Sequence, residues 1–339
     1  MTNSEQKRIV QRFAKRLRTL GITLSLLILV GVFTVWTGVR DIDFLATRNV
    51  QNMTGQSVII GLGAVGMTMI IISGGIDLSA GSVMALSMVV TAFSIQAGLG
   101  LWVGALLGVL TGAASGFVNG LMITAFRLVP FIVTLGMMSM ARGLAKLVAE
   151  SQHINVTYPG WHDSWLALMT VNPGPKSEHL PSWLLFAPSV WVLIVVATLM
   201  ALVLKKTVFG RHVFAIGSNE LTARLCGVRV PLTKVFIYTL SGVFTGLAGV
   251  VFCSRQQQGD PTAALAYELD IIAAVVIGGG SLRGGEGSIF GSLVGVLIIV
   301  VLRTGLPMVN APAPVQELLI GIIIVVAVII DQLQHRQAD

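Results

Sequence analysis

Long apolar runs alternate with short polar breaks along the chain, and the runs are close to the length that crosses a bilayer. Ten can be marked: residues 20–38, 52–73, 82–98, 101–125, 130–149, 189–204, 233–252, 268–282, 288–306 and 314–331. A helix of about 20 apolar residues spans the hydrocarbon core. The run at 268–282 is short, so the pattern accommodates eight or nine spans as well as ten. The fold class that follows is all-α, a polytopic helical membrane protein of about ten transmembrane helices.

Two polar breaks are longer than a connection requires. Residues 150–188 contain Pro and Gly that interrupt any helix, and tryptophans that suit a membrane interface. Residues 205–234 read "KKTVFGRHVFAIGSNELTARLCGVRVPLTK", the most polar block of the chain. Inside it, "SNELTARLCG" has the marks of a short helix. Ser218 or Asn219 can cap its start, Glu220 suits the first turn and pairs with Arg224 at i+4, and Gly227 can close its end. Leu221, Leu225 and Val228 fall on one stripe. So short a helix is marginal alone and needs something to bury that stripe. Either the membrane face and the protein's own helix ends cover it, or a cytosolic partner does.

Composition narrows the class further. With 54% hydrophobic residues, 11% charged residues and 38 glycines, a soluble globular domain is excluded. The formal net charge of +7 would suit a nucleic-acid partner if it were clustered on one soluble face. Instead Lys7, Arg8, Arg12, Lys15, Arg16 and Arg18 precede the first run, and Arg127, six more between Lys205 and Lys234, Arg283 and Arg336 fall on the same side of a ten-span chain. The positive-inside rule makes that side cytoplasmic, with both termini inside and no nucleic-acid partner. The basic prefix lacks a small-residue cleavage site and does not read as a signal peptide. The expected organisation is a basic cytoplasmic segment (1–19), one transmembrane domain (20–331) with an outer loop (150–188) and an inner loop (205–234), and a cytoplasmic tail (332–339). Cys226 and Cys253 fall on opposite sides, which makes a disulfide unexpected and small-residue packing the plain role.

Glycine patterning points to close helix packing. Gly104, Gly108, Gly112, Gly116 and Gly120 recur every fourth residue in one run, and Gly287, Gly291 and Gly295 repeat the device in another. Such stripes let helices approach closely in lipid, which is a plainer role than lining a pore. A faint echo links "SGGIDLSAGSV" (73–83) to "GGGSLRGGEGSI" (278–289), both glycine-rich breaks before a new apolar run. Transporters built from related halves show echoes of this kind.

Candidate chemistry is sparse. His153, His162 and His179 share the outer loop at spacings that match no metal pattern, so solvated side chains are expected. The chain has no Gly-Lys pair and hence no Walker A loop; ATP, if used, is hydrolysed on another chain. No catalytic set, metal site or bound cofactor is expected. Asp77, in "GGIDLSAGS", lies between the second and third runs. It is a candidate for gating the inner end of a pathway, while the plainer reading has Asp77 or Ser79 capping the next helix. Glu268 and Asp270 open the eighth run from the outer side, where the helix dipole favours carboxylates; receiving a partner or a polar solute is the second reading. Asn119, on the glycine stripe, is an interhelical hydrogen-bonder first and a solute contact second. Arg142, Lys146 and Glu150 are spaced to snorkel and pair locally on one helix face, with no transport role.

Four segments in order, "GAVGMTMIIISGGIDLSAGSVMAL", "PFIVTLGMMSMARG", "AIGSNELTARLCGV" and "PTAALAYELDIIAAVVIGGGSLRGGEGSIFGSLVGV", resemble the signature segments of membrane permeases of ABC-type monosaccharide (ribose-like) importers. The resemblance covers residues 50–331. It implies a fold like the permeases of the vitamin B12 importer type, and a pore made with a second permease chain, like or unlike. It also implies ABC ATPase subunits that bind ATP on the cytoplasmic side, a periplasmic or surface sugar-binding protein above, and a location in the bacterial inner membrane. By position it makes Ser218, Asn219, Glu220, Leu221 and Arg224 part of the coupling helix that docks in an ATPase cleft. "GGIDLS", with Asp77, matches the family in full without assigning the acid a task. Two departures stand out: Cys226 replaces a small non-cysteine residue, and "APAPVQELL" before the last run is richer in proline than the family pattern. The resulting expectation is the membrane subunit of an ATP-driven, binding-protein-dependent importer of a pentose or similar small sugar. A sugar-derived autoinducer or a nucleoside is the alternative solute. The rival class is an ion-driven secondary carrier with Asp77 as relay, which has no use for a capped inner helix.

Overall fold

Without water to bond free amides and carbonyls, an apolar run in a bilayer closes its hydrogen bonds within itself, and the helix does this segment by segment. The computed structural model describes residues 3–172 and 185–336 and follows that rule almost throughout. In chain order come α1 (Asn3–Gly38), α2 (Thr47–Ile72), α3 (Ala80–Gln96), α4 (Leu101–Ala125) and α5 (Pro130–Val148). The outer loop then contributes β1 (Ile154–Asn155), a 3-10 turn (Trp161–Asp163) and α6 (Trp165–Leu168). After it follow α7 (Pro188–Lys206), α8 (Val208–Ser218), α9 (Glu220–Leu225), α10 (Val230–Gln256), β2 (Gln258–Gly259), α11 (Tyr267–Ile277), α12 (Ile289–Met308) and α13 (Ala313–Arg336). The protein is a polytopic helical membrane protein.

Among the described residues, seven helices are long and apolar enough to cross a membrane. The run at 268–282 departs from expectation. It yields only the 11 residues of α11, about half of what a crossing needs, because glycines 278, 279 and 280 end the helix. Residues 205–234, expected to hold one short helix, hold two, α8 and α9.

The centre is α2, buried continuously from Ser57 to Ile72, and packed by α7, α10, α11 and α12. A helix apolar on every side belongs in such a place. By contrast α1, α4, α5 and α7 show outward faces of Leu, Ile, Val, Phe and Trp, the surface that lipid or a neighbouring chain covers. Inside the bundle the polar contacts are few and direct: Thr68 Oγ1 on α2 donates to Ser292 Oγ on α12 at 2.7 Å.

The glycine stripe of α4 is a packing device shared between two neighbours. A Cβ at Gly104 or Gly108 would strike α3 at Ile95, Thr91 and Ser87; one at Gly112, Gly116 or Gly120 would strike the backbone of α10. The contact is reciprocal, since Gly242 on α10 lies against the carbonyl of Gly112. Likewise Gly291 and Gly295 on α12 lie against Gly278 and Ala274. In lipid this backbone approach is where helix association finds its attraction.

The outer loop is tied down. β1 pairs antiparallel with β2, Trp161 is buried, and Trp165 stacks on Trp102 with ring centroids 4.1 Å apart. His153 Nδ1 lies 3.5 Å from Asp260 Oδ1; His179 is outside the described residues. Both cysteines are free thiols, Cys226 exposed and Cys253 buried.

The packing makes a direct prediction. Gly242→Leu is expected to prise α4 from α10 at a cost of about 3 kcal/mol, the upper end for overpacking. Gly136→Leu, at an open position on α5, is the matched control. Thermal unfolding in detergent reads both, and equal melting temperatures would contradict the assignment.

Candidate coupling surface and solute path

The inner loop builds a small rigid platform. Thr207 Oγ1 accepts the amide of Gly210 and starts α8; Asn219 Oδ1 accepts the amide of Thr222 at 2.8 Å and starts α9. Gly227, with φ +85, ends it. Of the two expected caps, then, Asn219 is the one used. Ser218 is instead the last residue of α8. Glu220 makes two bonds: Arg224 donates to Oε1 at 2.9 Å, and Lys234 of α10 donates to Oε2 at 2.6 Å. The Lys234 bond first, and then Arg224, hold the Glu220 carboxyl below its ordinary range. A lowered carboxylate pKa means that this link is complete at neutral pH and is lost only as pH falls through the lowered value.

The face that α9 turns inward is small. Ala223 packs with Ile216 and Val230, and Val228 closes over them. Leu221 and Leu225 point the other way, 69% and 81% exposed. Of the expected stripe the protein itself covers Val228, and it leaves Leu221 and Leu225 uncovered. Covering the two leucines is worth roughly 1.5–3 kcal/mol each to whatever does so.

Behind the platform lies a junction made of glycines. Gly217, near the end of α8, sits directly on the carbonyl of Ile72 at the end of α2, with no space for a side chain. The same carbonyl accepts the amide of Gly285 at 2.8 Å, and Gly284 backs onto Gly217 and Gly74. The two echoing segments, 73–83 and 278–289, thus meet each other beneath the platform.

Next to this junction is a buried polar cluster. Asp77 Oδ1 accepts the Ser79 amide at 2.8 Å and the Ser79 hydroxyl at 2.6 Å, while Asn119 Nδ2 of α4 donates to Ser79 Oγ at 3.0 Å. Asp77 therefore fixes the turn into α3, and Ser79, at the cap position, bonds no helix amide with its side chain. Asn119 is an interhelical hydrogen-bonder, through Ser79. Beside them the Tyr238 hydroxyl stands over Gly75, and it and Asn119 Oδ1 have no hydrogen-bond partner among the described residues.

Glu268 and Asp270 do not stand at the outer end of a span. After β2 the chain runs back along α3: Gly259 lies on Val89 and Ala92, and Ala264 and Glu268 lie on Gly81, one residue into that helix. α11 thus starts deep in the bundle. Asp270, fully buried, forms an ion pair with Arg303 of α12 at 2.7 Å, and the Arg303 guanidinium lies 5.7 Å from the Tyr267 ring centroid. Local pairing of Arg142 is corrected too, since it donates to the carbonyls of Pro261 and Ala263 at 2.9 and 2.7 Å. Sequence reasoning missed Lys234, Arg303 and Tyr238; the signal for Arg303 was a lone charge inside an apolar run.

The class that this arrangement defines is a membrane permease. Residues 49–328 match the family described as branched-chain amino acid transport system / permease component, and the chain belongs to it. It is 38% identical over 331 residues to the ribose import permease protein RbsC of Bacillus subtilis, covering 97% of each chain. To the L-arabinose ABC transporter permease protein AraH of Azospirillum brasilense it is 37% identical, over 87% of this chain and 83% of the relative. With the ribose import permease protein RbsC of Escherichia coli K12 the identity is 33%, over 91% and 92%. No solved structure matches.

Two outcomes test the geometry. Gly217→Val should abolish transport by the assembled permease, read as uptake at equal membrane level, because any side chain there displaces the end of α2. Arg303→Met should strand the Asp270 carboxylate and lower stability by about 3–5 kcal/mol. Adding Asp270→Asn should restore part of the loss in a melting experiment.

Proposed function

We propose that this chain is the transmembrane subunit of an ATP-driven, binding-protein-dependent importer of a pentose or similar small sugar. The names of its relatives, a ribose import permease and an L-arabinose ABC transporter permease that align over 97% and 83% of their lengths, support the solute class. One observation carries the coupling role: a two-turn helix, pinned to α10 at Glu220 and carried by α8, whose Gly217 sits on the end of α2, offers two uncovered leucines on the inner side.

In this reading α9 docks in a cleft of a separate ABC ATPase chain, which binds and hydrolyses ATP. Asn219 and Glu220 hold the helix in shape, Leu221 fills the cleft, and Arg224 braces Glu220. This chain holds no cofactor of its own. A second permease chain completes the pore, and a binding protein delivers sugar to the outer face. The protein sits in the bacterial inner membrane with both termini in the cytoplasm. Asp77 and Asn119 set the turn into α3 and act at the inner gate, beside the junction that the ATPase moves. Asp270 holds α11 to α12, and Glu268 faces the solute.

Motion of α9 has a short route inward. Closure of the ATPase shifts α9, the shift reaches α10 through Lys234 and α2 through Gly217, and the break before α3 lies between those two contacts.

The test uses the chain reconstituted in lipid with its ATPase and binding protein. Ribose-loaded binding protein is expected to raise ATP hydrolysis several-fold, and Glu220→Lys to remove that stimulation. Reversing the charge loses two ion pairs and sets like charges together. Stimulation unchanged in Glu220→Lys would overturn the coupling assignment; sugar uptake that persists without ATP while an ion gradient is held would overturn the ATP-driven reading.

A further inference from the structure

Between β2 and α11 the chain adopts a conformation that lipid does not tolerate. Residues 261–266 are turns, with Ala264 and Ala266 at positive φ, and Asp260 Oδ1 bends the segment by accepting the Thr262 amide and hydroxyl at 2.7 Å each. The segment lies alongside α3 from Ala92 to Gly81, about 16 Å of an apolar helix, so it sits at the depth of the hydrocarbon core. Non-helical backbone at that depth occurs only where protein buries it or where it borders a water-filled cavity. Here Thr262, Leu265 and Leu269 are exposed on the surface of the chain, Leu265 by 74%.

The polar groups of the segment separate these two cases. Arg142 spends one guanidinium nitrogen on the carbonyls of Pro261 and Ala263 and so holds the turns from α5. One carboxylate oxygen, Glu268 Oε2, is buried beside Gly81 with no hydrogen-bond partner. A seam closed by apolar side chains against Leu265 and Leu269 would leave that acceptor unmet, whereas water or a hydroxylated solute meets it. A carboxylate accepts two neighbouring hydroxyls at once, which suits a neutral polyol.

We propose that residues 260–269 border the aqueous passage and that Glu268 accepts hydroxyl hydrogens from a neutral polyhydroxylated solute within it. This rests on the reading of the chain as a sugar permease and adds the place where the sugar is touched.

The experiment uses the full chain, with Cys226→Ser and Cys253→Ala, assembled in proteoliposomes with its ATPase and binding protein. Thr262→Cys and Leu265→Cys are then treated with a charged, membrane-impermeant methanethiosulfonate, or with a lipid-soluble maleimide. Labelling by the charged reagent, slowed at least twofold by ribose during turnover, is expected. Labelling by the lipid-soluble reagent alone would overturn the proposal, as would no labelling together with cross-linking of Leu265→Cys between two copies.

A second arm reads the carboxylate. Glu268→Gln is expected to cut sugar moved per ATP about tenfold while stimulated hydrolysis stays within twofold, and Glu268→Asp to recover part. Unchanged uptake would remove Glu268 from the passage. Failure of the sugar reading itself is distinct, because the unsubstituted chain would then move no sugar.

Discussion

The carbonyl of Ile72 accepts the amide of Gly285, and the inner half of the protein is arranged around that bond. It lies where α2 has run out of helical partners, so the carbonyl must be met by something other than its own helix. What meets it is a loop from the far end of the chain. Because Gly285 and Gly284 both adopt positive φ, the loop can turn its amide inward while its backbone stays close. Gly217 of α8 then covers the same carbonyl from its other side. Three segments distant in sequence are joined through one backbone oxygen, and none of them has a side chain at the contact to cushion a displacement.

Elsewhere the bundle holds itself together by two opposite means. Between α4 and α10 the attraction is backbone against backbone, and the sequence says so plainly in its fourfold glycine spacing. Around α11 it is charge: Asp270 against Arg303, Arg142 against two carbonyls. The difference follows from what each element offers. α4 is a full helix with all its hydrogen bonds closed, so only dispersion remains for its neighbour to gain. The 257–268 segment has open carbonyls, and in a medium without water only a donor from another helix can close them.

Legibility in the sequence followed the same division. Spans with regular apolar runs were read to within a few residues, as α4 shows, and the caps of α9 were written locally in Asn219, Glu220 and Gly227. Features that depend on distant partners were not. Nothing near residue 268 announces that the chain has turned back along α3, so Glu268 and Asp270 looked like the start of an outer helix end. Arg142 looked locally paired because Glu150 lies at helical spacing, yet α5 ends at Val148 and its nearest open acceptors are carbonyls more than a hundred residues away. Asp77 was ambiguous for a similar reason: its amide partner, Ser79, is local, but Asn119 and Tyr238 arrive from other helices.

The placement of Lys234 and Tyr238 adds a constraint that neither residue shows alone. They are four apart on α10, one turn of helix, so they lie on the same side of it. Lys234 is bonded to Glu220 of α9, and Tyr238 stands over Gly75 in the break between α2 and α3. A rotation of α10 large enough to loosen the Lys234 contact therefore also moves the tyrosine ring from the break. The end of α2 is meanwhile fixed to α8 by Gly217. The platform thus reaches the break by two routes of different stiffness, one through a long flexible ammonium side chain and one through touching backbones. The backbone contact has no compliant part, so α8 and the end of α2 hold one position relative to each other. The lysine contact is an ion pair on a long side chain, which survives small shifts in geometry.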